Sequence, residues 1–241
     1  MFFTSALLSL FLAFSLSSVA VSGFTYERLD KTKAMLLVVD QQEGLFLLAR
    51  DRDQVHFRSD IIAHAALAKV FDLPTVLTSS SETGPNGLIP HEVVDMHPNA
   101  TFIKRQGEVD AWDNEDFRNA VKATNRTQVI LSGITTDVCA TFLSLSLLEA
   151  GYSVWHNVDA SGTFDVRTAN DANDRMRAAG VHVLSSFAIA SELMRDWRAT
   201  PGAKEMVPFF DTYLPDYGML ARAHDSAIND GVPSGLPTES E

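Results

Sequence analysis

Residues 129–152 read VILSGITTDVCATFLSLSLLEAGY and decide the fold. A short apolar run ends at Gly133, small and β-branched residues follow, and an apolar helical pattern covers residues 137–150. A buried strand that turns directly into a helix is the repeating unit of a parallel α/β sheet. The single cysteine of the chain, Cys139, lies where this helix begins.

The same alternation extends along the chain in both directions. Short apolar, β-branched runs predict strands over residues 34–39, 75–78, 101–103, 128–131, 153–158 and 181–184. Helical patterns predict helices over residues 59–71, 114–124, 137–150, 168–179 and 187–198. Strands that are apolar throughout are typical of a parallel sheet with helices on both faces.

Length and composition indicate one globular domain, predicted over residues 24–224, although two small domains remain possible. The chain has 241 residues, of which 46% are hydrophobic, and its net charge is −12. That size and composition allow a sizeable core. The acidic surface would repel phosphate backbones, so nucleic acid is not expected as a partner.

The two ends of the chain differ from the predicted domain. Residues 1–23 carry no charged side chain and are apolar from Ala6 to Val21, which indicates a cleaved signal peptide; a membrane anchor is the alternative. The sequons at Asn99 and Asn125 favour a secreted glycoprotein with no membrane contact after cleavage. Residues 225–241, rich in Gly, Pro, Ser and acids, predict a flexible tail.

Chemically active side chains follow three of the predicted strands. Asp40 follows the first strand, Lys104 and Arg105 follow the third, and Cys139 follows the fourth. Ligands of open parallel sheets bind beyond the carboxyl ends of the strands, so we expect an acid, a cation and a thiol to converge at one edge.

These residue types suit nucleophilic catalysis. A helix start favours a thiolate, so we expect a lowered pKa for Cys139, although a lone cysteine is as often a buried apolar residue. Asp40 could take the thiol proton and pass it to a leaving group, or it could be a helix cap. Strand alternation lets only one of Lys104 and Arg105 face the site.

Six segments carry a resemblance to a known family. They are LLVVDQQEGL (36–45), SSSETGPNG (79–87), AWDNEDF (111–117), SGITTDVCATF (132–142), DASGTFD (159–165) and RDWR (195–198). In this order and spacing the chain resembles the isochorismatase-like cysteine hydrolases, and within them the YcaC-type hydrolases of unassigned substrate. The resemblance runs from about Tyr26 to Tyr217 and implies a three-layer α/β/α sandwich around a central, mainly parallel six-stranded sheet.

The resemblance also implies a catalytic triad of Asp, Lys and Cys. Asp40 and Cys139 match two of its members, and the family lysine aligns with Arg105 in preference to Lys104. A guanidinium keeps its proton, so Arg105 would stabilise charge without transferring protons.

The family's cis peptide bond would join Ile134 to Thr135. The backbone N–H groups of Thr135 and Cys139 would then form an oxyanion hole. Ring-like homo-oligomers are also implied by the resemblance.

Metal and cofactor are not expected, and two aromatic residues are weaker candidates for the pocket. Nicotinamidase relatives bind a divalent metal through an Asp and two His after the second strand, where this chain has TSSSETGPNG without His. Trp112 and Phe164 could line the pocket or pack in the core. The sequence therefore predicts a secreted, cysteine-dependent hydrolase of an amide-like bond in a small molecule. The alternatives are an isochorismate-type hydrolase and a non-catalytic secreted member of the fold.

Overall fold

The computed structural model describes residues 25–228. These residues contain one six-stranded sheet in the order β3-β2-β1-β4-β5-β6, and every adjacent pair of strands is parallel. The strands are β1 (Ala34–Val39), β2 (Thr75–Ser80), β3 (Thr101–Arg105), β4 (Gln128–Gly133), β5 (Ser153–Asn157) and β6 (His182–Leu184). The six predicted strands are all present, and the predicted α/β/α fold is confirmed.

Helices connect the strands and cover both faces of the sheet. They are α1 (Gln54–Phe71), α2 (His91–Met96), α3 (Glu115–Ala123), α4 (Thr141–Glu149), α5 (Val166–Ala179), α6 (Ser186–Met194), α7 (Ala203–Tyr213) and α8 (Pro215–Ile228). Helices α1, α6 and α7 pack together on one face, whereas α3, α4 and α5 pack on the other.

The strand β1 shows why the sheet lies at the centre of the molecule. All six of its side chains are buried, because alternate residues face the two helical layers. Leu36 and Val38 join the core beneath α1, and Leu37 and Val39 join the core beneath α3 and α4.

The strand order brings Asp40 and Cys139 together. The order reverses between β1 and β4, so the loops that follow these two strands diverge and leave a crevice between them. Asp40 follows β1 in the left-handed backbone region, with φ of 52°, which an aspartate tolerates better than most residues. Cys139 follows β4.

The C-terminal part of the domain differs from the sequence prediction. Helix α8 continues through Ile228, so the tail boundary predicted at residue 225 falls inside a helix, where Asp225 is buried. The sequence analysis predicts none of the helices α2, α7 and α8. The predicted signal peptide and residues 229–241 lie outside the described residues. Among the described helices, none is both long and apolar enough to span a bilayer.

Candidate active site

Asp40 is a fully buried carboxylate at the carboxyl end of β1. Its backbone N–H donates to the Thr78 carbonyl of the neighbouring strand at 2.9 Å. Burial raises the pKa of the Asp40 carboxyl above its ordinary value, while the charge and hydrogen bonds of Arg105 oppose this shift. A carboxyl with a raised pKa is a stronger base than an exposed one, which suits it to accept a proton.

Arg105 holds Asp40 from the end of β3. Its Nη2 group donates to both carboxylate oxygens of Asp40, its Nε donates to Thr78 Oγ1 at 2.9 Å, and its Nη1 donates to the Glu108 carbonyl. Arg105 is only 1% exposed, so its guanidinium is shielded from bulk water. The guanidinium fixes both the position and the charge of the carboxylate.

Lys104 lies outside this cluster, so its candidacy as the catalytic cation is wrong. Its side chain is 57% exposed, and its Nζ pairs with Glu82 at 2.8 Å. The reason is strand alternation: Lys104 and Arg105 are adjacent in β3, and only Arg105 points to the face that holds Asp40.

Cys139 lies in a π-helical turn, Thr136–Ala140, that precedes α4. Residues 134–140 are called the Cys139 turn below. Cys139 is partly exposed, and its thiol lies beside the Asp40 carboxylate. The acid, the cation and the thiol that follow three separate strands therefore meet at one point, as the sequence predicts.

The predicted low pKa of Cys139 is wrong. Burial is the largest cause that raises the pKa of its thiol, to about 12, and the negative charge and hydrogen-bond acceptance of Asp40 add to it. A backbone hydrogen bond from Thr135 and the charge of Arg105 act in the opposite direction. The resting side chain is therefore a neutral thiol that lies beside the Asp40 carboxylate.

The peptide bond between Ile134 and Thr135 is cis, at the position that the family resemblance implies. Both residues are buried. The backbone N–H of Thr135 acts to lower the pKa of the Cys139 thiol, so this N–H group lies beside the sulfur. It is therefore near the point where a carbonyl oxygen would lie during attack.

The two aromatic candidates take different positions. Trp112 packs edge-on against Tyr152, 5.9 Å between ring centroids, and borders the same core as Cys139. Phe164 is 52% exposed on the loop after β5 and lies outside the cluster, so its place in a pocket stays a prediction. Its neighbour Thr163 is fully buried.

Residues that the sequence analysis did not select support the cluster. Thr78 accepts the Nε hydrogen bond of Arg105 and donates to the Ile103 carbonyl at 2.9 Å. Gln41 donates from Nε2 to Ser132 Oγ at 2.7 Å and links the loop after β1 to strand β4. The sequence could have indicated Thr78, because this residue ends the predicted second strand, and the second strand lies beside the third.

No group of three or more His, Cys, Asp or Glu side chains within residues 25–228 has the arrangement to hold a metal ion. The chemically active side chains that the structure brings together are Asp40, Arg105 and Cys139. They offer a base, a fixed positive charge and a thiol, which are the groups that nucleophilic catalysis uses.

Comparison with known proteins identifies the family. The family model of the Isochorismatase domain matches residues 34–187. The probable hydrolase YcaC of Escherichia coli (strain K12) is 44% identical over 201 residues, which cover 83% of this chain and 96% of that protein. The chain therefore belongs to the isochorismatase family.

Two solved structures of YcaC extend this relationship to three dimensions. The crystal structure of the E. coli protein, an octameric hydrolase of unknown specificity, aligns with a TM-score of 0.81 at 44% identity, covering 85% of this chain and 99% of that one. YcaC from Pseudomonas aeruginosa, solved with hexane-2,5-diol and covalent acrylamide, gives 0.80 at 44% identity, covering 83% and 98%.

Proposed function

We propose that this protein hydrolyses an amide-like C–N bond of a small molecule through a covalent intermediate on Cys139. The observation that carries the proposal is the position of the Cys139 thiol beside a buried carboxylate, Asp40, which Arg105 holds in place. The covalent acrylamide in the P. aeruginosa relative is consistent with a reactive group in this family.

The first half of the reaction forms a thioester. Asp40 takes the proton of the Cys139 thiol as the sulfur attacks the substrate carbonyl carbon. The oxyanion that forms accepts hydrogen bonds from the backbone N–H groups of Thr135 and Cys139. Asp40 then returns the proton to the substrate nitrogen, the C–N bond breaks, and the amine leaves.

The second half releases the acid. Asp40 takes a proton from a water molecule, whose oxygen attacks the thioester carbon. The second tetrahedral intermediate collapses, the C–S bond breaks, and the sulfur recovers the proton from Asp40. Arg105 stays protonated throughout and stabilises the carboxylate form of Asp40.

Isochorismate cleavage is the second candidate, favoured by the family model that matches this chain. Isochorismate carries carboxylates, and Arg105 directs its hydrogen bonds to Asp40, Thr78 and Glu108, so this cation is not presented to an anionic substrate. This arrangement supports an uncharged, amide-like substrate over isochorismate.

The test is the change Cys139→Ala, measured in a screen of amides, hydroxamates and isochorismate beside the wild type. Deleting the nucleophile should lower the hydrolysis rate at least about a thousandfold, because no thioester forms. Mass spectrometry of the wild type, quenched during turnover, should show the acyl group on Cys139. Full activity of the alanine variant would contradict the proposal, and activity on isochorismate alone would support the second candidate.

Secretion is proposed from the apolar leader and the two sequons. Asn99 and Asn125 are both exposed, and Asn125 occupies a left-handed turn position, with φ of 54°. Both side chains are accessible for a glycan. Expression in a secretory host, with sequencing of the mature N-terminus and glycosidase treatment, tests this: an uncleaved, cell-retained product would contradict it.

A homo-oligomer is proposed from the octameric relative in E. coli, which is 44% identical. Light scattering of the purified protein at several concentrations tests this assembly. A monomer at all concentrations would contradict it.

A further inference from the structure

The segment Gly162–Thr163, on the loop after β5, lies directly against the Cys139 turn. Gly162 forms an isolated parallel bridge with Ile134, and its carbonyl accepts the N–H of Thr136 at 3.0 Å. A Cβ added to Gly162 would lie 2.6 Å from the Cβ of Ala49, closer than real atoms approach. This close fit leaves the segment little room to shift.

The polar groups of Thr163 connect the Cys139 turn to residues 49–53. Its Oγ1 donates to Asp137 Oδ1 at 2.6 Å. On the other side, its N–H donates to Asp51 Oδ1 at 2.7 Å, and its carbonyl accepts the Arg50 N–H at 2.8 Å. The side chain is fully buried, so its hydroxyl bond is shielded from water.

The hydrogen bond from Thr163 to Asp137 joins a side chain of the segment Gly162–Thr163 to a side chain of the Cys139 turn. Asp137 lies between Thr136 and Cys139 in sequence, and its carboxylate is only partly buried. Hydrogen bonds to a carboxylate are among the stronger ones in proteins. Without the Thr163 hydroxyl, the Asp137 carboxylate would turn toward solvent, and the turn would keep only its backbone contacts and the apolar packing of Ile134 and Ala140.

We propose that Thr163 is a positioning residue that fixes the Cys139 turn so that the thiol meets Asp40. The mechanism above makes no use of Thr163 or Asp137. The effect on hydrolysis rests on the proposed function, but the effect on the thiol does not, because alkylation needs no substrate.

The test uses Thr163→Val, which removes the hydroxyl and keeps the shape of the side chain. Alkylation of Cys139 by acrylamide is followed by mass spectrometry at one fixed pH, in the full chain. Loss of the bond should slow the reaction roughly tenfold, because small displacements of reacting groups reduce rates strongly. Thr163→Ser, which restores a hydroxyl, should return the rate to within about twofold of the wild type.

Thr75→Val is the matched control. Thr75 is also buried, and its hydroxyl donates to the Leu73 carbonyl at 3.1 Å at the opposite end of the sheet. Its alkylation rate should stay within about twofold of the wild type. Equal slowing in both valine variants, or none in Thr163→Val, would overturn the proposal.

Asp137→Ala tests the same bond from the other side if Thr163→Val does not fold. It should slow alkylation similarly, and the double variant should be no slower than either single variant, because one bond is lost in each case. Additive slowing would overturn the proposal. If Cys139→Ala keeps full hydrolysis while Thr163→Val slows alkylation, the positioning role holds and the proposed function fails.

Discussion

Two buried polar clusters lie on opposite faces of the sheet. One consists of neutral groups, and the other contains an ion pair. Beneath α1, His64 Nε2 donates to the Leu37 carbonyl at 3.0 Å, and Nδ1 accepts from Asn157 Nδ2 at 3.2 Å. Ser186 exchanges hydrogen bonds of 2.9 and 3.1 Å with the Asn157 amide. Burial lowers the pKa of His64 to about 4, so every group in this cluster is neutral at pH 7.

The cluster on the other face contains a full ion pair. Arg105 and Asp40 are both buried, and Cys139 beside Asp40 is partly exposed. Buried neutral groups that bond one another mainly stabilise the fold. A buried charge pair beside an accessible sulfur adds less to stability than its Coulomb attraction suggests, but it holds a base ready for proton transfer.

The largest loss of stability is expected for Arg105→Met, in the cluster that contains the ion pair. The change leaves Asp40 buried without its partner, and we expect the free energy of unfolding to fall by roughly 3–5 kcal/mol. Urea unfolding measures this loss. Adding Asp40→Asn should recover part of it, because the unpaired charge is then removed. A loss below about 1 kcal/mol in the single variant would contradict a buried ion pair.

A substitution in the neutral cluster around His64 should change how the free energy of unfolding depends on pH. The unfolded imidazole titrates near its ordinary pKa of 6.5, whereas burial holds the pKa of His64 at about 4 in the folded protein. Between these values only the unfolded chain binds this proton, so stability falls as pH falls from about 6.5 to about 4. His64→Gln should make this slope shallower by about 1.4 kcal/mol per pH unit.

Urea unfolding at a series of pH values measures that slope. His91→Gln is the control, because the His91 side chain is 80% exposed and lies largely in solvent. An unchanged slope in His64→Gln, or the same change in His91→Gln, would contradict the buried neutral histidine. Cys139 alkylation should be unaffected, since His64 lies on the other face of the sheet.

The smallest effect is expected for Lys104→Ala. Lys104 differs from Arg105 by one position, but its side chain is 57% exposed, whereas that of its partner Glu82 is 13% exposed. We expect the free energy of unfolding to change by less than about 0.5 kcal/mol. The acrylamide rate should stay the same. A loss as large as that of Arg105→Met would show that the two neighbours share one role.

The sequence predicts the architecture and the meeting of Asp40 with Cys139, because parallel strands place their carboxyl ends at one edge. Alternation and the family resemblance together favour Arg105 over Lys104. The pKa of Cys139 was not predictable, because burial depends on the packing of residues remote in sequence. The Thr163–Asp137 bond was not predictable either, since it joins two loops whose approach is fixed only by the folded chain.

The guanidinium of Arg105, whose hydrogen bonds are directed to protein groups, affects the order of steps in the proposed reaction. With Arg105 permanently charged, Asp40 alone carries every proton, first from sulfur to nitrogen and then from water to sulfur. One carboxyl cannot serve two transfers at once, so the amine must depart before a water molecule is activated. The one carboxylate thereby fixes the order in which the bonds break, and no conformational change of the protein is needed for this.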